Sequence, residues 1–216
     1  KIIDVLSMSS LAKKLKLDPT VIIVNGVSRN GKATAVAGAF DPRITVTAPS
    51  SSGAGGVVAF RYNSEGLTFD YSPLKKDEFI DFQGEAEGTA SYEGYQTEEG
   101  KQVTVTTNQS FTHLGHDSMG GWVIDNYRTF TDVTEFPLDQ HLLAALSSGE
   151  ERYLYITTEV VGGDWVNAAG TYACYLETKK IFERLGLEDH LTAHIHAVGH
   201  AFTRLDAEYL VAFCEQ

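Results

Sequence analysis

The stretch Val21-Ile22-Ile23-Val24-Asn25-Gly26-Val27-Ser28-Arg29-Asn30-Gly31-Lys32 constrains this chain more than any other. A β-branched apolar run ends at a serine flanked by glycines, and the small residues from Ala33 to Phe40 follow at once. That order predicts a strand, a sharp turn and a helix. Such a turn lifts a serine Oγ clear of the backbone and aims it at the positive end of the helix. Gly26 and Gly31 fit the turn because a Cβ at either flank would crowd a strained backbone. The spacing Gly-x-Ser-x-x-Gly is one residue looser than the common Gly-x-Ser-x-Gly, so the strand before it and the helix after it carry the reading.

Val21 to Val24 is apolar at every position, as in a strand buried on both faces with a neighbour on each side. Upstream, Ile2, Ile3, Val5, Leu6, Leu11, Leu15 and Leu17 trace one amphipathic helix. Downstream, strands are expected at Ile44 to Thr47, Tyr153 to Thr157 and Thr192 to Ala197. Helices alternate with them: Pro137 to Leu146, begun by a proline, Ala168 to Leu185, stopped by Gly186, and Ala201 to Phe213. Residues 62 to 118 break this rhythm. They are rich in Gly, Tyr and acids, alternate only at Val103-Thr104-Val105-Thr106, and read as an irregular lid or insertion with a β-hairpin.

At 216 residues with 43% apolar content the chain can bury one core. Its formal net charge of −12, with no basic run, argues against a nucleic-acid partner. The apolar runs are far shorter than a membrane span.

Several blocks resemble the glucuronoyl esterases, carbohydrate esterases of the α/β-hydrolase fold. They are Gly26 to Lys32, Val36-Ala37-Gly38-Ala39-Phe40-Asp41 with Arg43-Ile44, and Pro49 with Ser52-Gly53-Ala54-Gly55-Gly56. Further on come Phe136 to Leu146, Tyr153-Leu154-Tyr155-Ile156, Asp164-Trp165, Thr171-Tyr172-Ala173-Cys174 and Gly199-His200. The resemblance implies an α/β-hydrolase-like three-layer sandwich on a mostly parallel sheet, in which residues 1–216 form a C-terminal portion. Such a fold lays down several strands before its nucleophile, whereas only 27 residues precede Ser28 here. The expectation is that the N-terminal strands come from a separate or cleaved polypeptide, or have been lost from this chain.

The resemblance implies acyl chemistry, with Ser28 as nucleophile and His200 as general base in the turn after the last strand. The matching Arg29 would stabilise the oxyanion and the matching Lys32 would contact a sugar acid. Cations at a helix N-terminus oppose its dipole, which favours a functional reason for both. The acid is displaced. Many family members carry Glu in a Pro-Gln-Glu-Ser-Gly stretch, and this chain reads Pro49-Ser50-Ser51-Ser52-Gly53. Ser51 holds no charge, so Glu159, after the Tyr153 strand, is the first choice of acid and Asp164 the second. Without a replacement acid the chain would be catalytically silent or a repurposed half acting with a partner.

Trp165 matches a sugar-contacting tryptophan of the family, while the family's other polar contacts are not recognisable at Asp117-Ser118-Met119-Gly120-Gly121. His194 and His196 share a strand face without a sequence-near carboxylate, which suits a structural role better than a metal site. His113 and His116 carry no assignment. Two family disulfides are implied, one between the Val27 and Ala201 positions and one between Ala59 and Cys174. Only Cys174 of these four is a cysteine, which points to a reducing, intracellular compartment. The expected substrate is a small-molecule or carbohydrate ester, with no metal or organic cofactor.

Overall fold

The computed structural model describes residues 1–62, 68–70, 102–104, 109, 111, 114, 120–123, 125–159, 166–196 and 200–215. Its strands are β1 (Ile23–Val27), β2 (Val46–Ser50), β3 (Thr68–Asp70), β4 (Gln102–Thr104), β5 (Tyr153–Glu159) and β6 (Leu191–His196). Four of them form one sheet in the order β1-β2-β5-β6, and every pairing in it is parallel. Parallel neighbours need long crossovers, and helices supply them. The crossovers use α3 (Arg29–Phe40), α4 (Gln140–Ala145) and α5 (Ala168–Leu185), and α6 (Arg204–Cys214) follows β6.

Alternation along β5 sorts the core into two layers. Leu154 and Ile156 point into a cluster with Ala35 of α3, Ala144 of α4, and Cys174 and Phe182 of α5. Tyr155 points the other way, onto Val46 and Ala48 of β2 and onto Leu210 and Phe213 of α6. The sheet therefore has helices on both faces, the three-layer α/β arrangement expected from the sequence. A separate aromatic cluster gathers Phe60, Phe111, Tyr127, Phe130 and Phe136, with Phe60 edge-on to Phe136 at 5.7 Å between ring centroids. Asp139 ties that cluster to α4: its Oδ1 accepts from Phe60 N and Gln140 N, each at 2.7 Å.

Several boundaries differ from expectation for identifiable reasons. The single N-terminal amphipathic helix is two short ones, α1 (Ile2–Leu6) and α2 (Ser9–Leu15), divided at Met8; with α1 and α2 counted, the helices run α1 to α6. The first strand is Ile23–Val27 rather than Val21 to Val24. Among the described residues it is an outer strand with only β2 beside it, and Ile23 is 45% exposed. Strand β2 runs past Pro49 to Ser50 because its pairing with β1 continues through Ala48, Pro49 and Ser50, while its ladder to β5 skips Ala48 and Pro49 and resumes at Ser50 opposite Thr157; proline has no N–H to offer there. Helix α4 starts after Asp139, whose carboxylate caps it, and not at Pro137. Helix α6 starts after Thr203, which forms a capping box with Asp206. Helix α5 ends where predicted, with Gly186 at φ 70°.

The expected insertion over residues 62 to 118 lies for the most part outside the described residues. Its described part includes β3 and β4, which pair antiparallel. Cys174 is buried and Cys214 exposed, and both are free thiols. No helix among the described residues is long and apolar enough to cross a membrane.

Phe182 is fully buried where α5 meets the sheet. Phe182→Ala is expected to lower stability by about 3–5 kcal/mol through lost burial plus a cavity. The midpoint of urea unfolding would fall with little change in slope.

Candidate active site

The turn at Ser28 has the geometry that the sequence predicts. Ser28 sits at φ 60° and ψ −126°, between the last residue of β1 and the first of α3. Its N–H donates to Ser50 O at 2.9 Å, and its carbonyl accepts from Lys32 N at 3.1 Å. A side chain with a Cβ is strained at positive φ, and such strain persists only where the surroundings enforce it. The glycines make room. A Cβ on Gly26 would stand 2.6 Å from Asn30 O, and one on Gly31 would stand 2.7 Å from Ser50 O.

Parallel strands bring further groups to the same edge. Val27 is opposite Ser50, Ser50 opposite Thr157, and Glu159 opposite His196. Residues just past the carboxyl ends of β1, β2, β5 and β6 therefore line one rim, the usual location of sites in open α/β sheets. Ser28, Ser51, Glu159 and His200 occupy it.

Glu159 closes β5 and is nearly inaccessible to solvent. Its Oε1 accepts from His200 Nδ1 at 2.6 Å, and its Oε2 accepts from the Ser51 hydroxyl. With Nδ1 facing the carboxylate, the proton of neutral His200 belongs on Nδ1, which leaves Nε2 as the free acceptor. The hydrogen bond to Glu159 raises the His200 pKa above its ordinary 6.5, the carboxylate charge adds to this, and burial and the Lys32 ammonium oppose it. Of the two expected acids, Glu159 meets the histidine. Asp164 and Trp165 lie outside the described residues. The Ser28 hydroxyl is not hydrogen-bonded to His200 in this structure.

The turn that carries His200 is fastened at both ends. His194, buried on β6, places Nδ1 2.7 Å from Asp206 Oδ1. Asp206 Oδ2 accepts from Thr203 N at 2.5 Å and from Thr203 Oγ1 at 2.8 Å. The carboxylate that the sequence lacked beside His194 comes from α6, and the histidine acts in packing. The His196 side chain, His113 and His116 lie outside the described residues. Among the described residues no group of three or more His, Cys, Asp and Glu side chains converges as metal ligands would.

Lys32 lies along the same rim, pointing inward from α3. Its Nζ donates to Ser52 O, to Ala54 O at 2.6 Å and to Gln109 Oε1 at 3.0 Å, using all three of its donors. Burial pulls its pKa down to about 7. The ammonium thus holds the 52–54 turn, while the side chain also borders a cleft of about 580 Å³ lined by Arg29, Ala33, Val36, Gly55, Trp122 and Val123 among others. Arg29 and Lys32 both sit over the Trp122 ring, 5.5 and 5.6 Å from its centroid. Neither Trp122 nor the Ser51 hydroxyl was singled out from sequence as a site group. No short motif marks Trp122, and the signal for Ser51 is only that a serine occupies the position matched to an acid.

Residues 1–72 match the family described as "Glucuronyl esterase, fungi". A multidomain esterase of Ruminococcus flavefaciens is 37% identical over 99% of this chain and 25% of its own length. A 4-O-methyl-glucuronoyl methylesterase of Podospora anserina is 30% identical over 88% of this chain and 31% of its own. Among solved structures, a carbohydrate esterase family 15 glucuronoyl esterase from Caldicellulosiruptor kristjansonii superposes with a TM-score of 0.73 at 30% identity, covering 99% of this chain and 46% of that one. The chain thus spans about a quarter to a third of these curated relatives and just under half of the solved chain. The strand–turn–helix at Ser28, the parallel sheet and the agreement of all three comparisons lead to one statement: the chain belongs to the glucuronoyl esterase family and has its α/β-hydrolase fold.

Proposed function

We propose that this chain carries the reacting groups of a serine-dependent carboxylic ester hydrolase. The observation that carries the reading is the 2.6 Å hydrogen bond from His200 to Glu159, on the rim where Ser28 holds its strained turn. In this reading the Ser28 Oγ attacks the ester carbonyl carbon while His200 Nε2 takes its proton. The Arg29 backbone N–H, at the N-terminus of α3, and the Arg29 guanidinium stabilise the oxyanion. His200 then returns the proton to the departing alcohol, leaving an acyl-Ser28. Water, deprotonated by the same imidazole, releases the acid and restores the hydroxyl. Glu159 never takes the proton; it holds the imidazole in place and stabilises the imidazolium.

The relatives named above as methylesterases of 4-O-methyl-glucuronate support a sugar-acid ester as substrate. Arg29 and Lys32 supply positive charge near the cleft, and Trp122 supplies a face on which a sugar ring stacks. Trp165 is carried in the proposal as a further sugar contact and Asp164 as the reserve acid. A second reading, that the chain works as half of a two-part fold completed by other polypeptide, draws on exposed apolar side chains beside β1. Ile23 and Val36 are 45% and 46% exposed, and Phe40 is 71% exposed. A copurifying partner or a longer parent chain that shields them would support it, and activity of residues 1–216 alone would refute it.

A fluorophosphonate is expected to label Ser28 in the intact protein, with labelling lost in Ser28→Ala and His200→Ala. Hydrolysis of methyl 4-O-methyl-glucuronate would fall with it, and a wild-type rate in Ser28→Ala would refute the mechanism. Glu159→Gln is expected to cut turnover on the order of 10³-fold or more.

The general base must be neutral, and Glu159 raises the pKa of His200. The rate should therefore fall as pH drops through a midpoint above 6.5. In Glu159→Gln the raising partner is gone while burial and Lys32 still push down, so the midpoint should move to lower pH. A pH–rate profile of both proteins checks the sign.

A further inference from the structure

Ser51 has no part in the proton transfers above, yet it is completely buried and its hydroxyl touches the carboxylate at their centre. An ionised carboxylate offers about four lone-pair sites. Buried as Glu159 is, each oxygen needs a donor of its own. Oε1 has His200 and Oε2 has Ser51.

Backbone geometry aims that hydroxyl. Ser51 lies at φ 44°, and its N–H donates to Thr157 O at 2.8 Å, two residues before Glu159 on β5. Only four described non-glycine residues have positive φ, and two of them, Ser28 and Ser51, stand past adjacent strands on this rim. Strain gathered at one rim marks positions whose side-chain direction matters.

We propose that Ser51 is a positioning residue, whose hydroxyl fixes the Glu159 carboxylate and sets how strongly it acts on His200. The inference rests on the Ser28–His200–Glu159 reading and adds to it a fourth side chain. A donor on Oε2 draws charge away from Oε1 and stops the carboxylate from turning. Remove it and Oε1 keeps more of the negative charge facing the imidazole, so His200 takes up its proton at higher pH. Among the described residues the charged groups acting on His200 are Glu159 from β5 and Lys32 from α3, and Ser51 bears on the first.

The test uses the full-length protein and the second-order rate of Ser28 labelling by a fluorophosphonate between pH 5 and 9, which reads nucleophile activation whatever the natural ester is. Ser51→Gly tolerates φ 44° and removes the hydroxyl together with its Cβ. It is expected to slow labelling at pH 7 about tenfold and to move the acid-side midpoint upward, opposite to the shift in Glu159→Gln. Ser51→Cys keeps the side-chain shape with a somewhat larger atom and a weaker donor, so both effects should be intermediate, and this variant carries the test if the glycine variant fails to fold. A slower rate with an unmoved midpoint, or a wild-type rate, in Ser51→Gly would assign the hydroxyl to packing alone and overturn the proposal. Wild-type labelling in Glu159→Gln would instead remove the triad reading, and this inference with it.

Discussion

One carboxylate, at the end of β5, organises the rim of the sheet. Glu159 is held from the β2 side by Ser51 and from the β6 side by His200, so three strand ends meet at its two oxygens. A buried anion with fewer donors would be protonated or would distort its surroundings. Here the surroundings were built to suit it. The hydrogen bond from His200 is short because the acceptor is charged and shielded from water.

The parallel sheet makes that meeting possible. In an antiparallel sheet successive strand ends fall on opposite edges, whereas parallel pairing sends the ends of β1, β2, β5 and β6 to one side. Each end then contributes one residue at close range without a long loop. The strain at Ser28 and Ser51 is sustained by the same ladder: the Ser28 N–H is bonded to Ser50 O, and the Ser51 N–H to Thr157 O. Neither turn can relax without breaking a bond to the neighbouring strand. Behind the rim, the buried His194–Asp206 pair fixes α6 to β6 and so limits where His200 can stand.

Much of this was legible in the sequence, for reasons that differ by element. Gly26 and Gly31 announce the turn because only glycine clears the carbonyls of Asn30 and Ser50. Gly186 announces the end of α5 by the same backbone logic. The sequence suggests a strand only over Ile44 to Thr47, and the pairing pattern alone shows that Pro49 falls where β2 is not paired with β5. The starts of α4 and α6 were misplaced because Asp139 and Thr203 cap through side chains, which apolar periodicity does not register. Glu159 stands ahead of Asp164 in the sequence by its place after a strand; the structure sets its carboxylate against His200, and Asp164 lies outside the described residues. The Ser51 contact was illegible: a serine standing where an acid is expected reads as a loss until its hydroxyl is found on the acid that replaces it.

The cations of α3 complete the electrostatic argument. Arg29 and Lys32 lie in the first turn of the helix, where the dipole disfavours positive charge. Lys32 is further destabilised by burial, which brings its ammonium down to a pKa of about 7. Three accepting oxygens hold it in place against both effects. The Lys32 ammonium in turn opposes the protonation of His200, the smallest of the influences on that imidazole. Of these two cations Glu159 contacts only the imidazole, and it favours the imidazolium form of His200.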